Sequence, residues 1–364
     1  MQWKSWTIFQ ILFFLTFLIS GLLINVCQGI GYLLLPRRVF RRLNYYLQWS
    51  MYGQFIFLFD WWSGSEVRLY GPSSDEDAHF GSEHALILCN HHYETDWLFG
   101  WIIAERFRAI LKYVPILGWG WALSDIIYVK RDWSEDQKML PQALKTLHDY
   151  PHPWWLLIYA EGTRFTDAKH KACEEFRLKS QDPDLPHLRH HLIPRLKGFY
   201  HTLMNLDPRK VPAIYDVTIV AKKADSTISR IIGGLRLEAD VYVRRIPIKD
   251  IEKNEASIKK FLMKTYAEKD ALIDTFIQSG TFGKDSKALH FPERRLHSLI
   301  NVILLNFAVL VPCSLALISV LMKGSSWHVG LLLSLCTLLY FGMKKMIGIT
   351  KVKESSDYGS KKSK

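Results

Sequence analysis

Three long apolar blocks and a series of short ones divide the chain. Residues 5–36 carry no charged side chain, and two further apolar blocks, 296–322 and 324–343, lie toward the C-terminus. Each reaches the roughly 20 residues that cross a bilayer as a helix. Trp3, Trp6, Trp327 and Tyr340 stand near the ends, where an aromatic belt belongs. The first block is too long for a signal peptide and shows no small-residue cleavage site before Arg37 and Arg38, so it reads as a retained anchor. The stretch 45–62 (YYLQWSMYGQFIFLFDWW) is aromatic and nearly uncharged; Gln48, Gln54 and Asp60 favour the membrane interface over a span.

Between the anchors, short apolar runs alternate with helical patterns. That order predicts an α/β domain whose sheet is mainly parallel and flanked by helices. Strands are expected at 66–70, 85–89, 126–130, 154–160 and 211–220, and 235–246 alternates apolar and polar like an edge strand. Helices are expected at 96–108, after a capping box at Ser134 to Gln137, at 166–180 and at 255–278. Polar stretches 71–83 and 181–186 read as loops, and 355–364 as a disordered tail. The organisation is an anchor with an interfacial segment (1–62), an α/β domain (63–290), a transmembrane hairpin (291–345) and a tail (346–364).

Charge then fixes orientation. Lys and Arg number 47 against 35 Asp and Glu, a net +12. Such an excess fits nucleic acid or an anionic membrane, and three spans select the membrane and exclude nucleic acid. Arg37, Arg38, Arg41 and Arg42 follow the first block, Arg294 and Arg295 precede the second, and Lys344 and Lys345 follow the third. The turn 323–326 holds a single Lys, so the domain and the tail face the cytosol. Cys27, Cys313 and Cys336 lie in apolar spans, Cys89 ends a strand and Cys173 sits in a charged helix. Their spacing matches neither a zinc site nor a disulfide framework.

The candidate chemistry follows the strands. Residues 85–89 lead into Asn90-His91-His92-Tyr93-Glu94-Thr95-Asp96, 126–129 into Lys130-Arg131, and 154–160 into Glu161-Gly162-Thr163-Arg164. Open α/β sheets gather ligands outside the carboxyl ends of their strands, so the three clusters point to one shared site. A His paired with an Asp can take a proton from a hydroxyl while the carboxylate holds the ring. His92 is four residues from Asp96 and would meet it on a helix face; His91 is five away and pairs only if the turn folds it back. Geometry alone leaves both open. Arg131 and Arg164 offer forked donors for a phosphate, against the plain alternative of surface arginines or a pair with Glu161. Gly162 permits a tight turn close to a ligand. Two lesser readings are Cys89 as a nucleophile and a metal held by His91, His92, Glu94 and Asp96 with His187, His190 and His191 as further donors.

These blocks resemble a known family. Asn90 to Asp96 is similar to the NHx4D block of the glycerolipid acyltransferases, in particular the 1-acylglycerol-3-phosphate acyltransferases. Ile127-Tyr-Val-Lys-Arg131 resembles their second block, Glu161-Gly-Thr-Arg164-Phe-Thr their third, and Leu192-Ile-Pro194-Arg-Leu-Lys-Gly198-Phe their fourth. Order and spacing agree over nearly the whole chain, closest to the gamma and delta types. The resemblance implies transfer of an acyl group from acyl-CoA to the sn-2 hydroxyl of lysophosphatidic acid, giving phosphatidic acid in phospholipid biosynthesis. It makes His91 the base, Asp96 its orienting partner, and Arg131, Glu161, Gly162, Thr163 and Arg164 the residues that position the acceptor and its phosphate. It implies no cofactor beyond the co-substrate acyl-CoA, no metal and no acyl-enzyme. Lys361-Lys-Ser-Lys364 resembles a dilysine retrieval signal, which implies the endoplasmic-reticulum membrane. One departure stands out: Glu105 to Lys112 runs almost at once into Tyr113-Val114-Pro115-Ile-Leu-Gly118-Trp119, shortening a connection that would shape the acyl or CoA pocket. Acylation of another lysophospholipid (lysophosphatidylinositol, lysocardiolipin), a metal-dependent lipid hydrolase and a non-catalytic membrane scaffold are the alternatives.

Overall fold

The computed structural model describes residues 4, 6–73, 79–108, 110–111, 133–147, 150, 152–222 and 224–350. In chain order the helices and strands are α1 (Thr7–Leu34), α2 (Arg37–Phe57, continued by a wider turn at Leu58–Trp62), β1 (Glu66–Pro72), β2 (Ala85–Cys89), α3 (Asp96–Arg106) and β3 (Ile110–Leu111). Then follow α4 (Trp133–Leu147), β4 (Trp154–Ile158), α5 (Asp167–Ser180), α6 (Leu196–Asn205), β5 (Ala213–Ala221), α7 (Ile228–Ile232) and β6 (Glu238–Pro247). The chain continues through α8 (Glu255–Ser279), β7 (Ser286–Ala288), α9 (Leu296–Lys323) and α10 (Ser326–Thr350).

The strands form one sheet in the order β3-β4-β2-β5-β6-β1-β7. Pairs β3–β4, β4–β2, β2–β5 and β6–β1 are parallel; β5–β6 and β1–β7 are antiparallel. The sheet is therefore mixed but mainly parallel, with β4 and β2 side by side as its second and third strands. β2 is buried along its whole length, as expected for a strand covered on both faces by helices. One apolar layer joins Leu86, Leu88, Trp154 and Ile214 to α4, α6 and α8; the other joins Ile87, Leu157, Val217 and Val241 to α3.

The expected edge strand is not at an edge. β6 lies between β5 and β1, and its polar positions are paired instead of solvated. Asp240 accepts from Arg68 of β1 at 2.7 Å, Arg244 donates to Asp216 of β5 at 2.9 Å, and Arg245 donates to Glu83 at 2.8 Å. Alternation had the right period but the wrong partner for its polar face. The strand expected at 126–130 and the side chains of the capping box at 134–137 lie outside the described residues.

Three helices are long and apolar enough to cross a membrane: Thr7–Leu34, Leu296–Lys323 and Ser326–Lys345. α2 packs between the first two, and a seam of side-chain hydrogen bonds engages its Asn44, Ser50 and Gln54. Gln54 donates to Ser20 of α1 at 3.0 Å, Gln28 of α1 donates to Asn44 at 2.7 Å, and Ser50 donates to Asn301 of α9 at 2.7 Å. Thr16 of α1 donates to Asn306 of α9 at 3.0 Å. Polar side chains join apolar helices in this way because lipid offers them no partner. Asp60, the third residue that favoured the interface, is 1% exposed and paired with Arg106 of α3 at 2.6 Å. Trp97 and Trp101 of α3 pack on Phe55 and Tyr52 of α2. The helix that follows the NHx4D block thus stands on the anchor.

Candidate active site

β2 and β4 are parallel neighbours, so the turns at their carboxyl ends open at one mouth of the sheet. Asn90 fixes the first turn by acting as an extra rung of the ladder: its amide accepts from the backbone N–H of Ile219 at 2.8 Å and donates to that residue's carbonyl at 3.0 Å. His91 comes next, with Nδ1 2.8 Å from Asp96 Oδ2. Asp96 sits in the first turn of α3, where the helix dipole favours a negative charge. The same oxygen accepts from the Tyr93 N–H at 2.9 Å. A carboxylate only accepts, so the ring proton belongs on Nδ1 and the lone pair on Nε2. Tyr159 stacks on the imidazole at 4.0 Å between centroids, and the ring remains 18% exposed. Burial pushes the His91 pKa below its ordinary value, against the pull of Asp96. The ring is therefore a neutral base near pH 7.

Of the two histidines that spacing left open, His91 meets Asp96. The chain from Asn90 to Thr95 is not helical, and it folds the ring back across the five-residue gap. His92 instead stacks on Phe165 and faces the edge of His191.

The turn after β4 is built around Glu161, which is fully buried. One carboxylate oxygen accepts from the His91 N–H at 2.9 Å and the other from the Leu192 N–H at 3.0 Å. It clamps the first, third and fourth blocks together through their backbones. Burial raises its pKa to about 8. Phe165 N–H donates to the His91 carbonyl at 2.8 Å and Arg195 N–H to that of Ala160 at 2.7 Å, closing the same knot. Gly162 has φ +72°, and a β-carbon there would come within 3.0 Å of the Arg195 side chain. Gly162→Ala should cost about 1–2 kcal/mol for the left-handed backbone alone and displace Arg195. Thermal unfolding together with the acceptor KM would register both; an unchanged KM with unchanged stability would refute the tight fit.

Lys169, which sequence reading missed, supports this loop from α5. It is 4% exposed and donates to Thr163 Oγ1 and to the Arg164 carbonyl, both at 3.0 Å. Burial and the neighbouring Arg164 lower its pKa. Only its spacing from the block, on the first turn of a helix capped by Thr166, could have marked it. Arg164, Lys169 and the exposed Arg195 bring three cations to the loop beside His91. Arg131 lies outside the described residues, as does the shortened segment beginning at Lys112.

The other readings fare differently. Cys89 is buried and its thiol is pushed well above its ordinary pKa by burial, which suits a small hydrophobe better than a nucleophile. Glu94 accepts from the Ile228 N–H at the start of α7, and His187 and His190 pair at the surface side of the fold with Glu174 and Asp274. Of the metal donors weighed from the sequence, His92 and His191 come together, with Glu161 as the third group in place of Glu94 or Asp96. A small, mainly apolar cavity of about 30 Å³ lies between the sheet and α3, lined by Ile87, Gly100, Ile103, Leu157 and Val217 together with Asp96 and Tyr159.

A family model described as "Acyltransferase" matches residues 68–222, and one described as "Acyltransferase C-terminus" matches 230–305. The 1-acyl-sn-glycerol-3-phosphate acyltransferase delta of Homo sapiens is 34% identical over 99% of this chain and 97% of its own length. The gamma enzyme of Mus musculus is 35% identical over 98% of this chain and 96% of its own. The chain belongs to the 1-acyl-sn-glycerol-3-phosphate acyltransferase family. It is thereby an enzyme of the O-acyltransferase class. The crystal structure of the 1-acyl-sn-glycerophosphate (LPA) acyltransferase PlsC from Thermotoga maritima aligns with 72% of the acyltransferase at 14% identity and a TM-score of 0.40. The matched acyltransferase segment contains every block of the candidate site, and the C-terminal one contains β6, α8 and the start of α9.

Proposed function

We propose that this acyltransferase moves an acyl group from acyl-CoA to the sn-2 hydroxyl of lysophosphatidic acid, giving phosphatidic acid and free CoA. The single observation that carries the reading is the His91–Asp96 pair at 2.8 Å, set beside the cations of the loop after β4. His91 Nε2 takes the hydroxyl proton as the oxygen bonds to the thioester carbonyl carbon. The tetrahedral intermediate then expels CoA as thiolate, which recovers the proton from the imidazolium. Asp96 stabilises that cation throughout. A thioester is already activated, so positioning and one base suffice, and neither a metal nor an acyl-enzyme enters the chemistry. Arg164, with Arg131 from the second block, binds the acceptor phosphate; Gly162 and Thr163 shape the turn that holds it, and Glu161 positions the turn through the backbone.

The basic residues flanking the spans support a catalytic domain on the cytosolic side of the membrane, and the resemblance of Lys361-Lys-Ser-Lys364 to a dilysine signal supports the endoplasmic reticulum as its compartment. Both substrates are anionic amphiphiles, which suits a cationic site against a bilayer.

The deciding experiment is an acyl-transfer assay on the purified full chain with acyl-CoAs of several lengths and a panel of lysophosphatidic acid, lysophosphatidylinositol and lysocardiolipin. Preferred transfer to lysophosphatidic acid supports the reading. Preference for another acceptor moves the headgroup assignment, and hydrolysis without transfer overturns the reaction. Arg164→Ala should raise the acceptor KM by roughly 10–100-fold, the worth of a hydrogen bond to a charged group, with a smaller change in kcat. An unchanged KM would remove Arg164 from the phosphate site.

A further inference from the structure

Behind the catalytic pair, three donors from three separate segments converge. His92 from the turn after β2, Glu161 from the turn after β4 and His191 from the segment before α6 each bring one ligand atom within 4.8 Å of the others. His191 is completely buried, and Asp270 of α8 sits 3.0 Å from its Nδ1. Asp270 is itself held by the backbone N–H groups of Arg189 and His190, each at 2.8 Å. A carboxylate so placed keeps the ring proton on Nδ1 and aims the Nε2 lone pair inward. That nitrogen is buried and has no hydrogen-bond partner among the described residues.

Glu161 adds a second anomaly. It is fully enclosed, yet among the described residues it makes no ion pair with a lysine or arginine; only backbone N–H groups reach it. A buried carboxylate needs a cation or a proton. Two imidazoles and a carboxylate, with an outer carboxylate orienting one imidazole, form a donor set of the zinc type. Two nitrogen donors disfavour calcium and magnesium, which prefer oxygen.

We propose that His92, Glu161 and His191 bind one divalent transition-metal ion of the zinc class as a structural tie. The ion joins the turns after β2 and β4 to the segment before α6, and so braces the backbone that carries His91 without taking part in acyl transfer. The assignment is independent of the substrate reading, because its readout is metal content.

The test uses the full-length chain, purified in detergent without a polyhistidine tag, loaded with zinc, passed over a chelating resin and measured by elemental analysis. Retention of about one zinc per chain, lost in both His191→Ala and Glu161→Gln and kept in His187→Ala, supports the site. His187 serves as the control because it is an exposed imidazole four positions before His191 in the chain, paired with Glu174 at 2.9 Å. Should the two site variants fail to fold, the wild-type chain still decides: zinc should raise its melting temperature and a strong chelator should lower it. A folded wild-type chain without retained zinc, or equal loss from His187→Ala and His191→Ala, overturns the proposal. The first outcome would leave a buried water or a shared proton in that place, and the second would leave adventitious surface binding.

Discussion

Replacing His91 by alanine is expected to lower turnover by about 10²–10⁴-fold, the range a positioned general base contributes. The fold should survive, because the imidazole is held by Asp96 and Tyr159 and is partly exposed, while the backbone of His91 is fixed independently by Glu161 and Phe165. Acyl-CoA and lysophosphatidic acid should still bind, so the loss belongs in kcat. Asp96→Asn should fall in the same direction, since an amide can present a donor to Nδ1 and favour the wrong tautomer. Turnover close to wild type in His91→Ala, with membrane insertion intact, would end the base assignment.

The largest effect on stability should come from Lys269→Met. Lys269 is fully buried in α8, pairs with Asp216 of β5 at 2.5 Å and donates to the carbonyls of Val217 at 2.6 Å and Leu88 at 3.1 Å. Removing one partner of such a pair strands the other charge in a low-dielectric interior, which costs about 3–5 kcal/mol. Arg244 still reaches the other Asp216 oxygen at 2.9 Å, which points to the lower end of that range. The apparent melting temperature should drop by roughly 6–20 °C for a domain of this size. Adding Asp216→Asn, which removes the stranded charge, should recover part of the loss. A melting temperature unchanged in Lys269→Met would show that solvent reaches the pair.

The contrast between these two residues explains what was legible in the sequence. His91 and Asp96 lie five positions apart at the end of an apolar run, so periodicity, polarity and a motif all fall in one window. Lys269 lies 181 positions from Leu88 and Asp270 lies 79 from His191; no local pattern records such pairings. The central strands were visible because burial on both faces makes them continuously apolar. β6 was misplaced because its polar residues find charged partners on neighbouring strands, which local alternation cannot distinguish from solvent. Glu161 was recognised in its block, but its part as a clamp on two backbone N–H groups required the fourth block to be folded against it. α6 went unseen because Gly198 and the polar residues around it obscure a short helix that buries only Phe199, Thr202 and Leu203.

The packing of Trp101 on Tyr52 and of Trp97 edge-on against Phe55, together with the buried Asp60–Arg106 pair, bears on how this enzyme can be handled. Trimming the chain to a water-soluble α/β unit would strip aromatic cover from the helix whose first residue, Asp96, pairs with His91, and would leave Arg106 without its Asp60 partner. A truncation that starts after Trp62 should therefore aggregate or lose its catalytic geometry, and biochemistry on this protein calls for the anchor to be kept.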